Sequence, residues 1–174
     1  RRANFNKLTS DTVSEALTSV PKLFSISLKE AGLTWENLAS KVTMDRSAWE
    51  AVIPSMGYMA LLRNLRNFLQ SGVSQEILND VSDRLMDPEQ VAKSKQLPMR
   101  FLSAYQATKG SLEFSRALER ALNESLKNVP ALKGRTLILV DRSGSMFYST
   151  SGKSQLTFAD SAAIFGSALA LRAE

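Results

Sequence analysis

The sequence predicts a mainly α-helical chain whose last part begins an α/β domain. Up to about residue 128, apolar residues recur at helical spacing between polar capping residues. From Gly134 onward the pattern changes to a short apolar run, a loop rich in serine and glycine, and one apolar helix. We therefore expect a helical segment over residues 1–133 and an incomplete α/β domain over residues 134–174.

The helices are predicted from caps and apolar stripes, taken in chain order. Caps and first-turn prolines predict helix starts at Ser10, Asp45, Ser74, Pro88, Pro98 and Ser111. A further stripe runs from Tyr58 to Gln70, and Gly72 follows it as a C-terminal cap. Because the connecting loops are short, neighbouring helices are expected to pack antiparallel, as helical pairs, a bundle or a solenoid. No clean internal repeat chooses between these arrangements.

The last part has the pattern of a strand, a loop and a helix. The run from Leu137 to Val140 is apolar at every position, which is typical of a strand buried inside a parallel sheet. After the loop, we expect Thr157 to cap a helix, with Asp160 as the reciprocal acid of a capping box. This order predicts the first half of a Rossmann-like α/β unit, whose remaining strands are not in this sequence.

The composition excludes several kinds of protein. The chain has no Cys and no His, which excludes disulfides, metal sites built on cysteine or histidine, and an imidazole general base. No pair of nucleophile and base is recognisable, so we predict that the protein is not an enzyme. No apolar run approaches the ~18 residues that span a bilayer, so no membrane partner is expected. The absence of Cys fits a reducing cytosol, and we expect a cytoplasmic protein.

The charge is mildly basic and is concentrated in the middle of the chain. The formal net charge is +5, and residues 51–134 hold 11 Lys and Arg against 8 Asp and Glu. This excess permits nucleic-acid binding, but on charge alone a solvated basic surface is the better explanation. The first residue is not Met, and Glu174 ends a helical pattern without a cap, so we expect a piece of a longer chain.

A candidate metal site directly follows the predicted strand. Asp141, Ser143 and Ser145 alternate there and offer a carboxylate and two hydroxyls, which suit a small hard cation such as Mg²⁺. The spacing resembles the metal-ion-dependent adhesion site of von Willebrand factor A domains. That resemblance implies a further threonine and acidic residue from two later loops, so the site for Mg²⁺ or another divalent cation is expected to be incomplete here. The alternative is a solvated turn capped by Asp141.

Three stretches of the sequence resemble the TROVE proteins, the family of the Ro autoantigen and its bacterial relatives. They are residues 48–65, residues 97–110 and residues 117–146, where the last predicted helix leads into the predicted strand. The most distinctive string is Ala-Leu-Leu-Arg-Asn-Leu at residues 60–65. The likeness covers about residues 33–174.

The resemblance implies both an architecture and a function. In that family a ring of HEAT-like helical repeats is closed by a von Willebrand factor A domain. The family binds the single-stranded ends of misfolded noncoding RNAs in the hole of the ring and small Y RNAs on its outside. The resemblance therefore implies an RNA-binding protein of RNA quality control. The alternative is a protein-binding module whose adhesion-site metal grips an acidic residue of a partner.

Five basic residues are candidates for RNA contacts. Arg63 and Arg66 lie three residues apart, so they share one helix face, and guanidinium groups suit phosphates and base edges. For Arg63 and its neighbour Asn64, a structural role that ties neighbouring helices together is the better explanation, because a motif deep in an apolar helix often serves packing. Lys93, Lys95 and Arg100 form a second basic cluster, which we expect near two helix starts, where N-termini attract phosphate. The alternative for this cluster is a solvated face.

Two tryptophans offer a weaker signal. Trp35 and Trp49 could stack on bases, but both lie at apolar helical spacing. We therefore predict that they belong to the core.

Overall fold

The computed structural model describes residues 9, 11–13, 15, 34–109, 111–152 and 156–173. In these residues the chain is mainly helical, as predicted. Its α-helices are α1 (Trp35–Ala39), α2 (Arg46–Val52), α3 (Tyr58–Gln70), α4 (Gln75–Met86), α5 (Pro88–Ser94), α6 (Pro98–Ala107), α7 (Leu112–Ser125) and α8 (Phe158–Ala170). Short 3₁₀ turns cover Ile53–Ser55, Leu126–Asn128 and Gly144–Phe147. None of the helices in these ranges is both long enough and apolar enough to cross a membrane.

The predicted helix boundaries are confirmed wherever they fall on described residues. Asp45 accepts a hydrogen bond from the Ala48 amide at 2.9 Å and so caps α2. Pro88 and Pro98 occupy the first positions of α5 and α6. Ser111 stands at the cap of α7, although its hydroxyl donates to the Glu113 carboxylate instead of accepting from the backbone.

The first predicted helix is described only in part. Residues 11–13 and residue 15 are helical, and Val13 is buried. The remaining apolar positions of that predicted helix and its cap, Ser10, lie outside the described residues.

The C-terminal end of α3 shows why glycine stands at residue 72. Gly72 has a positive φ of 66°, which costs little without a Cβ. Its amide bonds to the Leu69 carbonyl, and the Val73 amide bonds back to Phe68 at 3.1 Å. These two bonds form a Schellman motif, and Val73 and Phe68, the positions between which an apolar contact usually accompanies it, are both buried.

The chain divides into two compact units, residues 1–81 and residues 82–174. In the first unit, Trp49 and Phe68 are buried and meet edge to face with 5.0 Å between ring centroids. Trp35 lies 5.7 Å from Trp49 in a tilted arrangement. Trp49 therefore belongs to the core, as predicted, whereas Trp35 packs against it and is only half-buried.

The second unit is built around α6 and α7. Helix α6 packs against α7 and α8, and α5 packs against α7. Phe101 of α6 and Phe114 and Leu118 of α7 are almost fully buried. The Asn128 side chain donates hydrogen bonds to the carbonyls of Val91 and Gln96 and thereby fixes the connection between α5 and α6.

Helix α8 begins at the predicted capping box. The Thr157 hydroxyl accepts from the Asp160 amide at 3.0 Å, and the Asp160 carboxylate accepts from the Thr157 amide at 2.9 Å. Farther along α8, Gly166 meets the extended segment before the loop. A Cβ at Gly166 would lie 3.0 Å from Val140 Cγ2 and 3.4 Å from Ile138 Cγ2, so glycine permits this close approach.

Residues 135–140 do not form the predicted strand in the part of the chain that the structure describes. Leu137 and Leu139 are 82% and 84% exposed instead of buried. A strand inside a parallel sheet needs neighbouring strands, whereas the described residues provide only two isolated bridges, Leu132 to Ala173 and Ser149 to Thr157. The structure therefore does not show the α/β domain that the sequence predicted to begin at residue 134.

Candidate nucleic-acid interface and cation loop

Helix α3 presents Arg63 and Arg66 on an exposed face. Both arginines are exposed, as is Gln70 one turn farther along. Asn64 is buried, donates to the Ala60 carbonyl at 2.9 Å and accepts from the Asn67 side chain at 2.9 Å. Asn64 therefore has a structural role. The Arg63 side chain makes no hydrogen bond or ion pair with any described residue, which leaves its guanidinium accessible to a ligand.

The residues that follow α3 are hydrogen-bonded to α2 and to the segment that precedes it. The Ser71 hydroxyl donates to the Met44 carbonyl at 3.3 Å, and the Ser74 amide donates to Glu50 Oε1 at 2.8 Å. Burial raises the pKa of the Glu50 carboxyl, but the Ser74 amide and the Arg46 guanidinium outweigh it, so the pKa lies below its ordinary value. These bonds fix the helix that carries the two arginines.

The second basic cluster lies at a helix end as well as a helix start. Lys93 is in the last turn of α5, and Lys95 is its C-cap with a positive φ of 56°. Only Arg100 lies in the first turn of a helix, α6. The expectation that the cluster stands near two helix starts is therefore wrong for the two lysines, whose charges instead complement the negative end of the α5 dipole. All three side chains are exposed.

A groove between α6 and α7 was not predicted from the sequence. Its volume is about 340 Å³, and it is lined by Phe101, Leu102, Tyr105, Leu118, Glu119 and Leu122. The apolar lining residues follow helical spacing, so the sequence pattern could not separate them from the core. Among these lining residues only Glu119 is charged, so its carboxylate was the only feature of the sequence that could have indicated a groove.

The loop that follows residue 140 brings its three candidate ligands together. The Ser143 amide donates to Asp141 Oδ1 at 2.8 Å, and the Ser143 hydroxyl donates to Asp141 Oδ2 at 3.2 Å. The hydroxyls of Ser143 and Ser145 are 3.2 Å apart. Ser143 thus links the carboxylate to the second hydroxyl, and all three residues are exposed.

The donor set of this loop is suited to a hard cation. It contains one carboxylate and two hydroxyls, which are oxygen ligands of the kind that Mg²⁺ accepts. Among the described residues, no group of three or more acidic side chains could hold a metal ion. A cation in this loop would therefore depend on the serine hydroxyls, on water and on further ligands.

Comparisons with known proteins point to one family. The TROVE domain family matches residues 27–113, which is half of the chain. The proteins named Telomerase protein component 1 of Mus musculus and of Rattus norvegicus are each 39% identical over 74 residues. These matches cover 41% of this chain and 3% of each relative, so the chain spans only a small part of their length. No solved structure matches the chain significantly.

Proposed function

The chain belongs to the TROVE family, whose members are RNA-binding ribonucleoprotein components, and we propose that its helical part binds noncoding RNA through exposed basic residues. The observation that carries this proposal is the exposed pair Arg63 and Arg66 on α3, a helix whose opposite side is buried. Guanidinium groups suit phosphate contacts because their donors match the phosphate oxygens in geometry. Helix α3 also lies inside the range that the family matches.

The second unit carries a basic cluster of its own that is also available to RNA. Lys93, Lys95 and Arg100 are exposed, and none forms an ion pair with a residue that the structure describes. Such charges are available to phosphates, because lysine and arginine release the counterions condensed on the RNA when they bind it.

The family resemblance indicates which RNA the protein binds and which architecture its helices form. We propose that the RNA is Y-like or misfolded noncoding RNA, bound in the cytoplasm during RNA quality control. The relatives in mouse and rat are named as components of telomerase, which supports a role within a ribonucleoprotein. We also propose that residues 1–133 belong to a HEAT-like helical repeat segment and that no enzymatic step is involved.

The last part of the chain is proposed to begin a von Willebrand factor A domain. In that arrangement residues 135–140 pair with strands supplied by chain outside the described residues, which would cover Leu137 and Leu139. Asp141, Ser143 and Ser145 would then hold Mg²⁺ or another divalent cation, with ligands from further loops. The bound cation would supply a positive charge that can accept an oxygen ligand from outside the domain.

Salt dependence of RNA binding tests the proposed function. Mobility-shift titrations of the full-length protein should use a structured noncoding RNA with a single-stranded end, at several salt concentrations. Binding through phosphate contacts should weaken steeply as salt rises, because counterion release then favours the complex less. A protein that binds no RNA at low salt would refute the proposal.

The convergence of the Asp141 loop favours a second candidate function, a metal-dependent protein-binding module. In this function the cation grips an acidic residue of a partner. Calorimetric titration of the full-length protein with Mg²⁺ should show binding that Asp141→Ala removes, whereas Glu76→Ala, a change at another exposed acid, should keep it. Equal Mg²⁺ binding by the Asp141→Ala variant would exclude this site.

A further inference from the structure

The groove between α6 and α7 has the composition of a small-molecule site. At about 340 Å³ it falls within the range of about 300–1,000 Å³ that is typical of ligand pockets. Aliphatic and aromatic side chains form most of its lining, and Glu119 supplies a single carboxylate. Tyr105, one of the lining residues, is 42% exposed.

Two cations lie close in sequence to the residues that line this groove, one on each side of the connection between α6 and α7. Lys109 follows Tyr105 by four residues, just beyond the end of α6. Arg116 precedes Glu119 by three residues, which makes the two neighbours on the surface of α7. Both cations are exposed, and neither forms an ion pair with another described residue. The two helices that form the groove thus offer a negative group two exposed positive charges that no described residue pairs.

We propose that this groove holds one unpaired base of the RNA, stacked on Tyr105, while Lys109 and Arg116 contact the adjoining phosphate. A nucleotide combines a flat, largely apolar base with an anionic phosphate, and the groove offers an aromatic and aliphatic lining beside two cations. Single-stranded RNA is commonly bound in this way, with bases stacked on aromatic side chains and phosphates held by basic ones. The proposal rests on the RNA-binding function proposed above and adds a site that reads a base.

Glu119 gives this site a preference among bases. An ionised carboxylate only accepts hydrogen bonds, so it pairs with the amino groups of cytosine and adenine. Uracil presents carbonyl oxygens at its pairing edge on both sides of one N–H, and these oxygens are repelled by the carboxylate. The groove should therefore favour cytosine or adenine over uracil by about tenfold in affinity.

The test uses fluorescence anisotropy of the full-length protein with labelled single-stranded oligo-C, oligo-A and oligo-U of equal length. The unaltered protein should bind oligo-C and oligo-A about tenfold more tightly than oligo-U. Tyr105→Ala should weaken binding of all three by about tenfold, since stacking is tolerant of base identity, while Tyr105→Phe should keep the affinity. Glu119→Gln should remove the preference, because an amide both donates and accepts hydrogen bonds.

Matched controls separate this site from general effects on the protein. Tyr148→Ala removes another exposed tyrosine, and Glu76→Gln neutralises another exposed carboxylate, so both should leave affinity and preference unchanged. Thermal melting of each variant should show that it is folded. If Tyr105→Ala does not fold, the results for Tyr105→Phe and Glu119→Gln decide whether the groove binds a base.

The outcomes distinguish this proposal from the function on which it rests. If the protein binds RNA but Tyr105→Ala and Glu119→Gln change neither affinity nor preference, the groove is not a base site and RNA binding still stands. Equal weakening by Tyr105→Phe and Tyr105→Ala would also overturn the stacking contact. If the unaltered protein binds none of the three oligonucleotides, both proposals fail.

Discussion

At the level of single residues, two carboxylates of the first unit organise the backbone around them. Asp45 accepts the Ala48 amide at the start of α2, and this bond holds the pKa of the Asp45 carboxyl below its ordinary value. Glu50 joins the end of α2 to the amide of Ser74, which precedes α4. Each carboxylate satisfies a backbone donor that a helix start would otherwise leave without a partner.

Replacing Asp45 tests the capping bond. Asp45→Ala should lower the free energy of unfolding by about 1 kcal/mol, as is usual for the loss of an N-cap. The pKa of the Asp45 carboxyl is lower in the folded state than its value of about 3.9 in the unfolded chain. The ionised carboxylate therefore stabilises the folded protein above about pH 3.9, and this stabilisation is lost as pH falls through the pKa of the folded state. The difference in urea denaturation between the two proteins should therefore shrink below about pH 4. Asp80→Ala, at an exposed position inside α4, should show no such loss of stability. If the difference in unfolding free energy between Asp45→Ala and the unaltered protein did not change with pH, the capping role of Asp45 would be contradicted.

At the level of elements, the ends of the helices were easier to predict than the packing of the segments that connect them. Capping residues act on their immediate neighbours, so Asp45, Gly72 and Thr157 could be assigned from the sequence alone. The run from Leu137 to Val140 was predicted as a buried strand from its composition. A strand, however, is defined by its neighbours, and the described residues provide no ladder for this segment.

The contact between Gly166 and the extended segment can be tested by enlarging the side chain. Gly166→Val should destabilise the second unit by about 1–3 kcal/mol, because its Cβ and methyl groups would press on Val140 and Ile138. Ser167→Val, on the exposed side of the same helix, is the matched control for placing a β-branched valine in α8. Equal unfolding free energies for the two variants in urea denaturation would show that this contact is not tight.

At the level of the whole molecule, the candidate sites were predicted to different degrees. Arg63 and Arg66 were chosen from their spacing and the chemistry of guanidinium groups, and the structure adds that both are exposed. Asp141, Ser143 and Ser145 were found from a local motif, and their side chains do meet. The groove beside Tyr105 was missed because it depends on how two helices pack, which periodicity does not reveal.

The second basic cluster gives a prediction for the complete protein with RNA. Replacing Lys93, Lys95 and Arg100 together by Ala should weaken binding and flatten its salt dependence, by about 0.7 in logarithmic slope for each lost contact with a single strand. Phe147→Ala should leave the slope unchanged, since this exposed side chain carries no charge. Mobility shifts over a salt series measure both quantities, and an unchanged slope in the triple variant would remove these residues from the interface.

The most direct test of the central claim is the salt dependence of RNA binding after both α3 arginines are replaced. In the full-length protein, Arg63→Gln with Arg66→Gln should lower the logarithmic slope by about 1.4, at about 0.7 for each phosphate contact. The control is Lys133→Gln with Arg135→Gln, which removes two exposed charges outside the helices. We predict that the control keeps the slope of the unaltered protein. Identical slopes and affinities for all three proteins would contradict binding of RNA through the exposed face of α3.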